Sequence, residues 1–228
     1  MESISFYDDD VRKDVRERVI ERYCDDYTPN ARALDQRIYL PHFLQNDFVR
    51  YWRTVAVDFG AKQWRSLRND WNLRYAKLVP SRKVLFAGSL MSLFLTYYAL
   101  DDIYRGINER ERSEHDEKTR KHLYDTLLRH LREQFDKPAI ARLLDFYDIG
   151  TDQSKGALAT VLRCHSEFCG ILDERNSREL LNKPSSDRGA APLVRRVERI
   201  ARDLESALEE VFFDDPKLNF LTRRFGLF

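Results

Sequence analysis

The sequence predicts an all-α fold with long helices and one central hydrophobic helix. Three observations carry that prediction. Apolar residues recur at helical spacing along most of the 228-residue chain, strict apolar–polar alternation is missing, and 8 Gly and 7 Pro are too few for a sandwich or barrel rich in tight turns. With 43% hydrophobic and 34% charged residues, the chain is too apolar for disorder and too charged for a polytopic membrane protein. Its 39 basic and 38 acidic side chains give a net charge of +1, which excludes a strongly basic nucleic-acid packager and an acidic tail protein. The length suits one domain or two small ones.

The first ten residues are acidic and lack an apolar stretch, so they read as neither a signal peptide nor a basic transit peptide. From Asp10 to Tyr27 a helix is expected, with Val11, Val15, Val19 and Tyr23 forming its apolar face. Thr28-Pro29-Asn30 ends it, because proline removes a donor and restricts the residue before it. A short helical stretch follows around Ala31 to Tyr39, and Pro41 breaks it. Asn46 or Asp47 then offers an N-cap for a long segment reaching about Val79. Trp64, Leu67, Trp71, Tyr75 and Leu78 form a helical stripe within it, and Pro80-Ser81 is expected to break the chain.

Val84 to Leu100 carries no charge in 17 residues, thirteen of them apolar or aromatic. As a helix it spans about 25 Å, within reach of a bilayer core if the ends snorkel or the bilayer thins. Arg74, Lys77, Arg82 and Lys83 precede it, Asp101 and Asp102 close it, and Trp71, Tyr75, Tyr97, Tyr98 and Tyr104 flank it as an aromatic belt would. Gly88, Ser92 and Thr96 lie four apart on one face, where small residues let a neighbouring helix approach closely. The expectation is a single membrane span, with the four basic residues against lipid phosphates. The positive-inside rule favours the N-terminal part on the cytoplasmic or matrix side. The competing reading is a helix of a soluble bundle, apolar all round because it is surrounded.

Past the span, Asn108 to Lys121 is almost wholly charged and reads as a solvated helical extension. Leu123, Leu127, Leu128 and Leu131 restore an apolar face up to Pro138, and a helix is expected over Ile140 to Tyr147. Thr151 or Asp152 can cap the next, to about Asp173; residues 182–189 form a loop. The last helix runs from about Pro192 to Phe213, its seam Leu193, Val197, Ile200, Leu204, Ala207 and Val211 stepping by 4, 3, 4, 3 and 4. Arg195–Glu198, Glu198–Arg202 and Arg202–Glu205 pairs are expected along its flanks. The tail adds Phe220, Leu221, Phe225, Leu227 and Phe228. Leu193, Val197, Ile200, Leu204, Phe225 and Phe228 are therefore candidates for docking a partner.

Chemistry has weaker signals. Three cysteines, Cys24, Cys164 and Cys169, do not make a disulfide framework and suit a reducing compartment. Cys164 and Cys169 point in different directions on one helix, and His165 completes no zinc pattern. Asp101-Asp102 is similar to the aspartate motif of the all-α isoprenoid synthases, but Arg105 stands where a third acid is needed. His115-Asp116 resembles the centre of a metal-dependent phosphohydrolase, yet it sits in a charge run with no apolar wall. His122 and His130 are too far apart to share a metal. Neither a catalytic residue, a cofactor site nor a metal site is expected.

The chain thus divides into 1–83 (16 basic and 13 acidic residues), the uncharged 84–100 and 101–228 (23 basic and 25 acidic). This layout resembles the supernumerary subunits of mitochondrial inner-membrane complexes, which combine a short apolar helix, basic-aromatic flanks and charged helical extensions. The resemblance implies a non-catalytic structural subunit of a respiratory or ATP-synthase complex, held by other subunits and by membrane lipids. The alternative is a soluble all-α module binding nucleic acid or a protein through Arg50–Lys83, which holds nine Lys/Arg against two acids and all three tryptophans.

Overall fold

The computed structural model describes residues 9–25, 40–65, 71–106, 117–184 and 187–226. All regular structure among them is helical. In chain order the elements are α1 (Asp9–Asp25), α2 (His42–Arg65), α3 (Trp71–Lys77), a π-helical turn (Leu78–Lys83), α4 (Val84–Gly106), α5 (Glu117–Asp136), α6 (Ala139–Leu144), α7 (Asp152–Asp173), α8 (Arg175–Leu181), α9 (Ala191–Glu209), a second π-helical turn (Glu210–Asp214), α10 (Pro216–Leu221) and a third (Thr222–Gly226). The stretch expected over Ala31–Tyr39 and most of the charged run from Asn108 lie outside the described residues.

Pro80 does not break the chain. Its missing N–H and its ring disrupt α-helical bonding, and the wider π-helical turn absorbs both, so that α3 and α4 join into one long helix. Residues 72–103 of that helix are long and apolar enough to cross a membrane. Its most apolar 18-residue window is nevertheless 72% buried against the rest of the chain. α2, α5 and α6 all pack on α4. Met91, Leu93, Phe94 and Thr96 are fully buried. Trp52 of α2 stacks on Phe86 at 5.3 Å between ring centroids, and Phe94 meets Phe212 edge-on at 6.1 Å. Each such apolar side chain contributes on the order of 1.5–3 kcal/mol by leaving water.

A single hydrophobic cluster runs from Ile20 and Cys24 through α4 to Phe225, so the three regions delimited at residues 83 and 100 share one core. α9 lies along α7 and contacts the first π-helical turn, and α1 lies along α5. Thr151 caps α7 by accepting from the Ser154 N–H at 3.2 Å. The polar joint beside it is Asp215, which is buried and caps α10. It accepts from Ser154 Oγ at 2.6 Å and from the N–H groups of Thr151 and Lys217 at 3.1 and 2.9 Å. Burial alone would raise its carboxyl pKa; the hydrogen bonds outweigh that and hold it below the ordinary value.

α1 is turned over relative to its expected face. Val11, Val15 and Val19 are 58%, 50% and 43% exposed, while Ile20 and Cys24 enter the core. Polar links set this orientation. Arg16 reaches Asp136 and donates to the Phe135 carbonyl at 3.1 Å, Glu21 meets Arg132, and Tyr23 Oη donates to Asp47 at 2.5 Å.

Candidate functional site

The four basic residues expected against lipid occupy one stretch of the long helix. Lys77 is exposed, Arg74 and Arg82 are half-buried, and Lys83 is paired with Glu205 of α9. Glu205 is thus engaged across the helix interface, not with Arg202 on its own helix as the i,i+3 spacing suggests. The small-residue row works inside the chain. A Cβ on Gly88 would lie 2.6 Å from the Ala139 carbonyl oxygen, so α6 sits directly on the backbone of α4. Ser92 and Thr96 are fully buried and satisfy their hydroxyls on the carbonyls of Gly88 and Ser92, at 2.9 and 2.7 Å.

The residues expected to dock a partner are turned inward. Val197, Ile200 and Leu204 are buried, because α9 lays its seam on α7, and Leu193 is half-buried. Phe225 is buried as well. Its carbonyl accepts from Gln45, and its ring lies 5.6 Å from that of His42. Phe228 lies outside the described residues.

The basic-aromatic face expected over Arg50–Lys83 is described in part. Trp52 is stacked on Phe86, Arg50 faces Asp47 at 3.6 Å, and Lys62 faces Asp58 at 2.5 Å. The side chains of Trp64 and Trp71 lie outside the described ones. Asp101 is buried and paired with Arg105 at 2.5 Å, whereas Asp102 faces solvent, so the two carboxylates do not converge.

What the fold does bring together is α3, α8 and α9. Between them lies a cleft of about 270 Å³ lined by Asn72, Tyr75, Leu181, Val194, Val197, Glu198 and Arg202. Leu181, Val194 and Val197 supply apolar wall; Tyr75, Asn72, Glu198 and Arg202 supply polar groups. Asn72 Nδ2 donates to the Lys183 carbonyl at 2.9 Å, which ties α3 to the chain leaving α8. Burial, with the carboxylates of Glu205 and Glu198 nearby, pushes the Tyr75 phenol pKa up. The phenol therefore stays a neutral donor at physiological pH.

The cleft falls below the roughly 300–1,000 Å³ of cofactor and small-molecule pockets. It suits one anchoring side chain, with a cation and an anion on the rim to orient its backbone or neighbours. Among the described residues of the expected docking set, Val197 lines it. Helical periodicity could not reveal the cleft, because its walls come from segments more than a hundred residues apart. Compared with known proteins, the chain matches no family model, no curated sequence and no solved structure.

Proposed function

We propose that this protein is a helical binding subunit that works in water. Val84–Leu100 is its core helix, and the cleft between α3 and α9 takes an anchoring side chain of a protein partner. The observation that carries the reading is the enclosure of α4 by α2, α5 and α6 of its own chain. Inserting that helix into a bilayer would strip those elements from it. The outer faces of α2 and α5 carry exposed charges, Arg50, Asp58 and Lys62 on α2 and Lys121, Asp125 and Arg129 on α5, and are unsuited to hydrocarbon. Membership of a larger protein assembly, expected from the layout of the sequence, is compatible with this surface chemistry and does not require a lipid anchor.

A second reading keeps the span. The length and apolarity of residues 72–103 favour it, and it requires the bundle to open around α4.

Photo-crosslinking in cells from a probe replacing the exposed Arg202 separates the two. A discrete adduct with another polypeptide supports the binding cleft. Labelling of lipid supports the membrane reading, and an absence of any polypeptide adduct removes the cleft as a partner site.

A further inference from the structure

We propose, resting on the reading of the cleft between α3, α8 and α9 as a partner site, that it takes the C-terminal residue of the partner chain. The apolar side chain of that residue enters the cleft and its free carboxylate stays on the rim. Leu181, Val194 and Val197, all buried, supply an uncharged wall. At about 270 Å³ the cleft holds one large side chain, not a run of them.

The polar side chains that line this wall are not engaged elsewhere. Spacing on α9 favours ion pairs of Glu198 with Arg195 and with Arg202. Neither forms: among the described residues, Glu198 and Arg202 make no ion pair and no side-chain hydrogen bond. Glu205, the other neighbour of Arg202, is held by Lys83. Arg196 and Arg199, further round the same helix, are both drawn to Glu167, at 2.7 and 3.6 Å. The Tyr75 hydroxyl also makes no hydrogen bond among the described residues. One guanidinium, one carboxylate and one phenol thus converge on an apolar cleft.

A chain end fits these groups better than an internal residue. An internal residue offers a neutral N–H and a neutral C=O, which leave the Arg202 charge unmatched. An N-terminal residue brings an ammonium, which suits Glu198 alone. Around that carboxylate stand Arg202, the exposed Arg195 one turn away, and the exposed Lys183, whose carbonyl meets Asn72 at the cleft. The rim is therefore net basic and favours an anion. A C-terminal residue supplies one, which a guanidinium can hold with two parallel hydrogen bonds. Burial and the nearby Glu205 and Glu198 keep the Tyr75 phenol protonated, so it adds a neutral donor. Glu198 is left to accept the N–H of the same residue. The apolar side chain leaves the same Cα, so anchor and charge arrive together.

The test presents the full-length protein with a random-sequence peptide library ending in Leu, Ile, Val or Phe, made both as free acids and as C-terminal amides. Retained peptides are identified by mass spectrometry and their affinities measured by fluorescence polarisation. Each free acid is expected to bind about tenfold or more tightly than its own amide. Arg202→Gln is expected to weaken the free acid by about tenfold and to leave the amide unchanged, since the apolar anchor remains. Tyr75→Phe is expected to weaken the free acid by about threefold, with circular dichroism unchanged in both variants. Methyl NMR signals of Leu181, Val194 and Val197 locate the peptide without substitution and are expected to shift. Equal affinity of acid and amide, or a free acid indifferent to Arg202→Gln, would overturn the carboxylate contact. If those methyls still shift, the cleft stands as a side-chain site. No peptide retained in either form, or none that shifts these methyls, overturns both.

Discussion

Gly88 and Ala139 are in backbone contact: a methyl group on residue 88 would lie 2.6 Å from the Ala139 carbonyl oxygen and 3.0 Å from its Cα. This contact lets α6 sit on α4 and turns a small-residue row that reads like a membrane-helix interface into an internal joint. Gly88→Ala is expected to destabilise the fold by about 1–3 kcal/mol, because overpacking against backbone exceeds the helix-propensity gain. Gly156→Ala, in open space on α7, is expected to stabilise by about 0.5–1 kcal/mol. Urea unfolding of the two variants checks both signs; a neutral Gly88→Ala would mean that α6 does not sit there.

Asp215 gives the fold an acid limb. Its folded pKa is depressed, so its contribution is fully present above the unfolded value of about 4 and is lost as pH falls through the lower folded value. Asp215→Ala leaves the Thr151 and Lys217 N–H groups without their side-chain acceptor and Ser154 Oγ with only Thr151 Oγ1 at 2.9 Å, and is expected to cost about 2–3 kcal/mol at neutral pH. In Asp215→Asn the decline of stability below pH 4 should become shallower. Thermal melts from pH 7 down to pH 2 would show it, and parallel acid limbs for the variant and the unaltered protein would contradict it.

Lys83 and Glu205 tie the first π-helical turn to α9 while both remain partly solvated. A double-mutant cycle should return a coupling of about 0.5–1 kcal/mol, falling as salt rises. A coupling indistinguishable from zero at low salt would leave Lys83 available for another charge, lipid phosphate included.

The valines of α1 separate what periodicity can say from what packing decides. Val15→Lys should change stability by less than about 0.5 kcal/mol, whereas Ile20→Ala should cost about 2–5 kcal/mol. Chemical denaturation of each variant is sufficient. A large loss in Val15→Lys would restore the valine stripe as a buried face.

The same contrast explains what could be read in the amino-acid sequence. The seam of α9 was legible because Val197, Ile200 and Leu204 keep one clear stripe among charges, and burying that stripe is the dominant gain. On α1 three valines compete with Ile20 and Cys24, and the Arg16–Asp136 and Glu21–Arg132 contacts, remote in sequence, choose the other face. At Pro80 local rules predict a break; the surrounding α2, α7 and α9 hold the helix together through a π-helical turn. Gly88, Ser92 and Thr96 announced a close helix approach but not its partner, since Ala139 lies 51 positions beyond Gly88. The cleft needs chain segments to meet that spacing alone does not join.

Amide hydrogen exchange of the protein in detergent-free buffer tests the enclosure of α4 most directly. If Val84–Leu100 is the core helix, the protein stays soluble without detergent. The amides of Met91 to Phe94 should then exchange only through global unfolding, among the slowest in the molecule. Retention of the chain in the membrane pellet, or exchange at those amides far faster than global unfolding allows, would contradict a core helix enclosed by its own chain.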